Sequence, residues 1–168
     1  MLDITEILIF AAVGLVFALG LIGLSRWSGL AASRLGAYAL IAVSFLYVGF
    51  ALRAEQPGAW AGFEMTGVAV FASFAFMSIV GAPWWGVAGF ALHPFYAIYF
   101  HYVGAGSAFA PAPFVIANVA FDVGMALFIA YAALRGRAAP AAIEAQAQRR
   151  LAARSQHRAQ RRDTGGAA

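Results

Sequence analysis

The chain has 168 residues, of which 63% are hydrophobic and only 11% are charged, whereas roughly a quarter of the residues are charged in ordinary soluble domains. A water-soluble fold of this size cannot hide so much apolar side chain, so we exclude that class. There is no cysteine, which excludes disulfides, thiolate catalysis and cysteine-ligated metals. The length fits one domain, and long apolar runs assign that domain to a membrane.

Apolar stretches bounded by charges or by Gly/Pro clusters predict an all-α fold, a polytopic transmembrane helical bundle of about five spans within residues 1–137. Each stretch is long enough, at ~1.5 Å per residue, to cross most of a ~30 Å hydrocarbon core. Asp3 and Glu6 precede the first stretch where a secretory signal would be basic, so we expect a retained helix. The third stretch is the shortest. The predicted spans lie near residues 7–25, 35–52, 65–81, 84–103 and 111–134.

The arginines of the short loops predict the orientation, because cationic loops tend to stay in the cytoplasm. The loop after the first span carries Arg26 and Arg34, whereas the N-terminus carries only acidic residues. The segment after the fifth span begins with Arg135 and Arg137. This pattern predicts a multi-pass protein of a bacterial-type inner membrane, with its N-terminus outside and its C-terminus in the cytoplasm. It also requires an odd number of spans.

Residues 138–168 form an arginine-rich segment with six arginines between Arg149 and Arg162. We predict a cytoplasmic tail that is helical from Ala141 and disordered at its end. Each arginine near a membrane surface contributes ~1 kcal/mol to binding anionic lipid headgroups, so the lipid bilayer is the expected partner. No aromatic platform accompanies these charges, and we do not expect nucleic-acid binding. A homo-oligomer is a further partner that the small size of the bundle suggests.

Three ionisable residues fall inside predicted spans, namely His93, His101 and Asp122, and Glu64 falls at the outer start of the third span. Such residues destabilise a membrane helix unless they are paired or hydrated, and they indicate functional sites. His93 lies about nine residues from the inner start of its span and Asp122 about twelve residues from the inner end of its own, so both lie near the midplane. We expect these two to meet, with Asn118 one turn before Asp122.

Two further features surround this centre. Pro94 lacks a backbone N–H, so the carbonyl of Phe90 loses its helical partner and we expect a kink. His101 lies ~12 Å further out along the helix than His93, at the predicted depth of Glu64. We expect these last two to be interfacial residues in contact with water.

Three interpretations of the His/Asp centre stay open. It is an interhelical clamp worth ~0.6–2 kcal/mol, or it belongs to a membrane-embedded, metal-assisted hydrolase or lipid-modifying enzyme, or it is a relay in a small proton- or solute-conducting transporter subunit. The catalytic candidates are His93, Asp122 and Glu64. The candidate ligands for zinc or another divalent metal are His93, His101 and Asp122, and the relay would use Tyr96 beside His93 and Asp122.

The run WWGVAGFALHPFYAIYFHYVGAG, followed by NVAFDVGMA, resembles a family of small uncharacterised bacterial integral membrane proteins. Their penultimate helix carries a pattern like H-x-x-W-D-x-x-H-H, and their last helix carries an Asp. His93 matches the first His, Tyr96 takes the Trp position, His101 matches the final His, and Asp122 matches the Asp of the last helix. Two positions differ from the family pattern: this chain has Ala97 where the family has Asp, and Phe100 where the family has the first of the paired His residues. The likeness covers about a quarter of the chain and implies a membrane bundle without assigning an activity.

Overall fold

The structure is a computed structural model that describes residues 2–136. The predicted tail, residues 138–168, lies outside the described residues. Within residues 2–136 the only regular secondary structure is helical and there is no strand, so the predicted all-α class is confirmed. The helices are α1 Ile4–Ser28, α2 Ala32–Ala51, α3 Pro57–Val80, α4 Pro83–Tyr96 with a π-helical continuation Ala97–Val103, a 3₁₀ turn Ala105–Ala108, and α5 Ala112–Gly136.

Local sequence signals mark several of these helix ends. The Asp3 side chain accepts a hydrogen bond from the backbone N–H of Glu6 at 2.8 Å, and the Glu6 carboxylate accepts one from the N–H of Asp3 at 2.9 Å. This reciprocal capping box satisfies free donors at the start of α1. Gly29 ends the helix in the left-handed conformation, with φ 71°, which glycine adopts at no steric cost. Pro57 and Pro83 occupy the first turns of α3 and α4, where a missing N–H does no harm.

Four of the described helices, α1, α2, α3 and α5, are long and apolar enough to cross a membrane. α4 has only 14 residues, but the 7 π-helical residues follow it without a break. Many large apolar side chains point outward from the bundle, among them Phe17, Phe76 and Leu127. Because lipid is the solvent in which such a surface is stable, the described helices fit a multi-pass membrane protein.

α3 begins at Pro57, eight residues before the predicted start at residue 65. The segment Pro57–Phe63 contains one proline and two glycines, which are typical of loops, and so the predicted span excludes it. Proline at the first turn and packing of Trp60 against Phe109, with ring centroids 5.1 Å apart, allow it to be helical. The consequence is that Glu64 lies two turns inside α3 and not at its outer end.

Small residues set the closest approach between helices. An added Cβ on Gly14 of α1 would overlap the backbone carbonyl of Ala117 in α5, and one on Gly124 would lie 3.0 Å from the Cβ of Ala18. The four-residue spacing of Gly14 and Ala18 therefore lets two helix backbones touch, as small residues do in membranes. The central core is built on Phe90, with a second cluster around Tyr47. In the central core, Phe90 is surrounded by Leu40, Phe71, Ala75, Met125 and Ile129.

We predict that Gly14→Ala destabilises the protein while Gly20→Ala does not. Gly20 lies in the same helix with no neighbour within 4 Å of an added Cβ, so its replacement gains only helix propensity, ~1 kcal/mol. At Gly14 the clash is with backbone, which cannot rotate away, and overpacking of this kind costs ~1–3 kcal/mol. Thermal unfolding of the purified proteins in detergent checks the pair. A Gly14→Ala melting temperature equal to that of Gly20→Ala would contradict the α1–α5 contact.

Candidate functional site

The predicted His93–Asp122 contact joins α4 to α5. His93 Nδ1 lies 2.8 Å from Asp122 Oδ2, and both side chains are fully buried. Asn118, one turn before Asp122, donates its amide to the same carboxylate oxygen at 3.0 Å. The carboxylate therefore receives two hydrogen bonds at a depth where water cannot supply them. The structure thus brings together the pair that the depth estimate predicted, with Asn118 beside it as expected.

This geometry selects one tautomer of His93. An ionised Asp122 can only accept a hydrogen bond, so beside it His93 Nδ1 carries the proton. The Asn118 amide nitrogen, 3.3 Å from Nδ1, then makes no hydrogen bond to that atom. The lone pair of the neutral ring then lies on Nε2, which is buried without a hydrogen-bond partner. A carboxylate that fixes imidazole in this way also stabilises the imidazolium formed when Nε2 takes a proton. His93 Nε2 can therefore act as a base, with the Asp122 carboxylate stabilising the protonated ring.

A second His–carboxylate pair lies between α3 and the π-helical segment. Glu64 Oε2 accepts a hydrogen bond of 2.8 Å from the Tyr96 hydroxyl and lies 3.3 Å from His101 Nε2. The expectation that Glu64 and His101 contact water at the interface is wrong, because the side chain of each is only 1% exposed. The reason is the longer α3, which carries Glu64 into the bundle, together with the change of helix type before His101.

The π-helix and the turn after it position His101. Bonds from each N–H to the fifth residue back place more residues in each turn than an α-helix does, so residues after Ala97 rotate relative to an α-helical continuation. The following 3₁₀ turn then covers the imidazole, since an added Cβ on Gly106 would lie 2.5 Å from His101 Nδ1. Glycine is thus required at position 106 for this cover. π-helical turns are frequent at functional sites.

Aromatic rings connect the two pairs. The ring of Tyr47 lies with its centroid 4.1 Å from that of His101 and 5.9 Å from that of His93. The Tyr96 ring is 5.2 Å from His101 and 6.2 Å from His93. Tyr47 is fully buried and its hydroxyl has no hydrogen-bond partner. The two pairs therefore form one continuous cluster, which we call the polar centre: Tyr47, Glu64, His93, Tyr96, His101, Asn118 and Asp122.

The structure does not assemble the candidate metal ligands. His93 turns to Asp122 and His101 turns to Glu64, so the set His93, His101 and Asp122 does not converge on one point. Within residues 2–136 there is no group of three or more His, Cys, Asp or Glu side chains that could hold a metal ion. Ala97, where the resembling family has Asp, is fully buried among apolar neighbours and supplies no further ligand.

Sequence reasoning located His93 and Asp122 but missed Phe71, whose ring packs edge-on against His93 with centroids 4.5 Å apart. The spacing of Glu64, Gly67 and Phe71 places all three on one face of α3 and was the available signal. Two serines of α2 and α3 bond within their own helices and do not join the polar centre. Ser44 and Ser73 each donate to a backbone carbonyl of their own helix at 2.8 Å.

Comparison with known proteins gives no further assignment: no family model, no curated protein and no solved structure matches the chain. The resemblance of the His93–Asp122 region to small bacterial membrane proteins therefore stays a prediction.

We predict that Gly67→Ala disrupts the Tyr96–Glu64 hydrogen bond, because an added Cβ would lie 2.7 Å from the Tyr96 hydroxyl oxygen and 3.0 Å from its Cζ. Leaving a buried carboxylate without its donor costs ~1–3 kcal/mol. Thermal unfolding in detergent should show this loss, while Gly62→Ala on the same helix, with nothing within 4 Å, should not.

A double-mutant cycle separates this contact from a general effect of the added methyl group. In a Tyr96→Phe background the hydroxyl is absent, so Gly67→Ala should cost less than it does in the wild-type protein. Equal costs in both backgrounds would contradict the role of Gly67 as the residue that admits Tyr96 to Glu64.

Proposed function

We propose that this chain is a five-span inner-membrane protein whose polar centre takes up and passes on protons, as a small proton-conducting or proton-coupled transport protein. One observation carries the proposal. Two buried His–carboxylate pairs, each able to hold a proton, are joined in one cluster by Tyr47 and Tyr96. Chains of Asp, Glu and His inside a membrane are typical of proton relays.

The polar centre also holds hydrogen-bonding atoms through which a relay can exchange protons. Buried polar atoms in a purely structural network are normally hydrogen-bonded, because each unsatisfied atom destabilises the fold. Apart from Ser78 Oγ, the buried side-chain N and O atoms of residues 2–136 that make no hydrogen bond to another protein group all belong to the polar centre. These atoms are Tyr47 Oη, Glu64 Oε1, His93 Nε2, His101 Nδ1 and Nε2, Asn118 Oδ1 and Asp122 Oδ1. His101 Nε2 is among them, although it lies 3.3 Å from Glu64 Oε2.

Proton transfer follows from the chemistry of these groups. His93 Nε2 accepts a proton, and Asp122 stabilises the resulting imidazolium through the hydrogen bond on Nδ1. Glu64 and His101 offer a second protonatable pair, and the Tyr96 ring packs against both imidazoles, with its centroid 5.2 Å from that of His101 and 6.2 Å from that of His93. Tyr96 donates to Glu64 and can exchange that proton. Among the described residues no three metal ligands converge, so we do not propose a metal-assisted hydrolase.

Proton flux into liposomes tests the proposal. Wild-type protein in liposomes with an imposed potential and an internal pH-sensitive dye should acidify the lumen faster than protein-free vesicles. Asp122→Asn should lower the rate at least tenfold, because an amide cannot stabilise the His93 cation. Glu64→Gln should lower it as well, since it removes the carboxylate of the second pair.

Glu55→Gln is the matched control, because Glu55 is an exposed acid in the short loop between α2 and α3. It should conduct like the wild-type protein. Thermal unfolding and size-exclusion profiles in detergent report whether each variant is folded. Flux that is unchanged in a folded Asp122→Asn protein, or absent in the wild type, contradicts the relay and leaves the clamp.

The proposed topology has the N-terminus outside and the C-terminus in the cytoplasm, with Pro83–Val103 as the additional crossing beside the four helices that qualify by length and composition. Arg26 and Arg34 at the turn between α1 and α2 support it through the preference of cationic loops for the cytoplasm. In this orientation the arginine-rich tail faces the anionic inner leaflet, whose headgroups we propose as its partner.

Reporter fusions test the topology. A reporter after Arg137 should lie in the cytoplasm, whereas one inserted at Ser107 should lie outside. If Pro83–Val103 does not cross, the two ends of the chain lie on the same side, so a periplasmic signal after Arg137 together with an external N-terminus would contradict five spans.

A further inference from the structure

The pair of Glu64 and His101 lies near one end of the bundle, the end where α3 begins and the π-helical segment stops. Glu64 is seven residues from Pro57, the first residue of α3, and His101 is two residues from Val103, the last residue of the π-helix. At ~1.5 Å per residue, Glu64 is about 10 Å from the start of its helix. In the proposed topology this end of the bundle faces the outside.

A single turn of chain covers His101 at this end. We call residues 104–109 the lid; they comprise the 3₁₀ turn with one residue on each side. Gly106 lies directly against the imidazole, since an added Cβ would be 2.5 Å from His101 Nδ1 and 3.3 Å from His101 Cε1. The Phe109 ring covers the side, with its centroid 6.0 Å from that of His101 and 5.1 Å from that of Trp60.

Few interactions hold the lid in place. Its internal hydrogen bonds join backbone groups, from the N–H of Ser107 to the carbonyl of Gly104 and from the N–H of Phe109 to the carbonyl of Gly106, each at 3.1 Å. In the part of the chain that the structure describes, no hydrogen bond or ion pair involves a lid side chain. Half of the lid residues are exposed. Segments of this kind belong to the parts of a protein that open most easily.

The opposite side of the polar centre is packed more deeply. Phe90 lies one turn before His93 in α4, toward the other end of the bundle, and is fully buried. Leu40, Met125 and Ile129 pack around it, so large side chains fill the space between His93 and that end. Of the two ends, the one under the lid therefore has the thinner barrier between the polar centre and water.

We propose that the lid is a gate, which lifts as Phe109 leaves Trp60 and lets water outside the membrane reach the imidazole of His101. His101 is then the residue of the polar centre that exchanges protons with the outside. A hydronium ion leaves a proton on Nδ1, the nitrogen beneath Gly106, and departs as water. The proton on Nε2 passes to the Glu64 carboxylate, whose Oε2 is 3.3 Å away, so the ring returns to its neutral form.

The proton transfer in this scheme rests on the proposed function, whereas the opening of the lid does not. Hydrogen exchange at the imidazole carbon Cε1 measures the opening by itself. The hydrogen on this carbon exchanges slowly with deuterium oxide where water reaches the ring, and mass spectrometry of peptides resolves each histidine. The full chain in liposomes is the sample, and the exchange rate of His101 is the readout.

A reversible crosslink tests whether the lid must move. Trp60→Cys together with Phe109→Cys places two thiols across the contact between the lid and α3, in a chain that has no other cysteine. A short bifunctional methanethiosulfonate that joins them should lower the His101 exchange rate at least fivefold, and reductant should restore it. The same reagent on Trp60→Cys alone is the control and should change nothing. Equal His101 exchange before and after crosslinking would overturn the gate.

Gly106→Ala tests the opposite effect, a lid that cannot close. The added Cβ would overlap the imidazole and lie 2.7 Å from the carbonyl oxygen of Phe100, so the turn must move away from the ring. The His101 exchange rate should rise at least fivefold. Ser107→Ala, at an exposed position of the same turn, is the matched control and should exchange like the wild-type protein. A folded Gly106→Ala protein with unchanged exchange would contradict the gate, and the crosslink decides if that variant does not fold.

Proton uptake by the same liposomes separates the gate from the relay. The crosslinked Trp60→Cys/Phe109→Cys protein should acidify the lumen at least tenfold more slowly than the same protein after reduction. Equal uptake in the two forms would overturn the gate. Absence of uptake by the wild-type protein would contradict the relay alone, because His101 exchange still reports whether the lid opens.

Discussion

The hydrogen bond between His93 and Asp122 is the interaction on which the arrangement of the bundle depends. In a membrane, apolar contacts between helices gain little over contacts with lipid, so interhelical packing and hydrogen bonds select the neighbours. A fully buried carboxylate tolerates few positions, and removing one member of such a pair costs ~3–5 kcal/mol. The 2.8 Å bond therefore fixes the rotation and depth of α4 against α5, and Asn118 reinforces the same oxygen.

Once α4 and α5 are in register, the residues after His93 determine where the second pair, His101 and Glu64, forms. Pro94 interrupts regular bonding directly after His93, and the π-helical turns place His101 against the ring of Tyr47. α3 then supplies Glu64 from the opposite side, with Gly67 leaving room for the Tyr96 hydroxyl. Each carboxylate thus has its own imidazole.

α1 is attached differently from the other described helices. It contacts α5 through Gly14 and Ala18, and only Gly14, Ala18 and Ser25 are buried along its length. Contact through small residues brings the backbones together at one place and leaves the larger side chains on either side unpaired. A cleft of about 590 Å³ lies beside this contact, between α1, α2 and α5, and Asn118 is the one polar residue that lines it.

The sequence by itself determined the membrane class, the position of most helices, and the meeting of His93, Asp122 and Asn118. Hydropathy indicates that the helices lie in lipid, and the rise per residue gives the depth of His93 and Asp122 in the membrane. The four-residue spacing of Asn118 and Asp122 places both on one face of their helix. Only the tertiary structure decided that His101 pairs with Glu64, that both are buried, and that no metal-ligand group forms within residues 2–136. Those outcomes depend on the rotation of α3 and on a change of helix type after Pro94. Both arise from contacts between residues distant in sequence, which local periodicity does not encode.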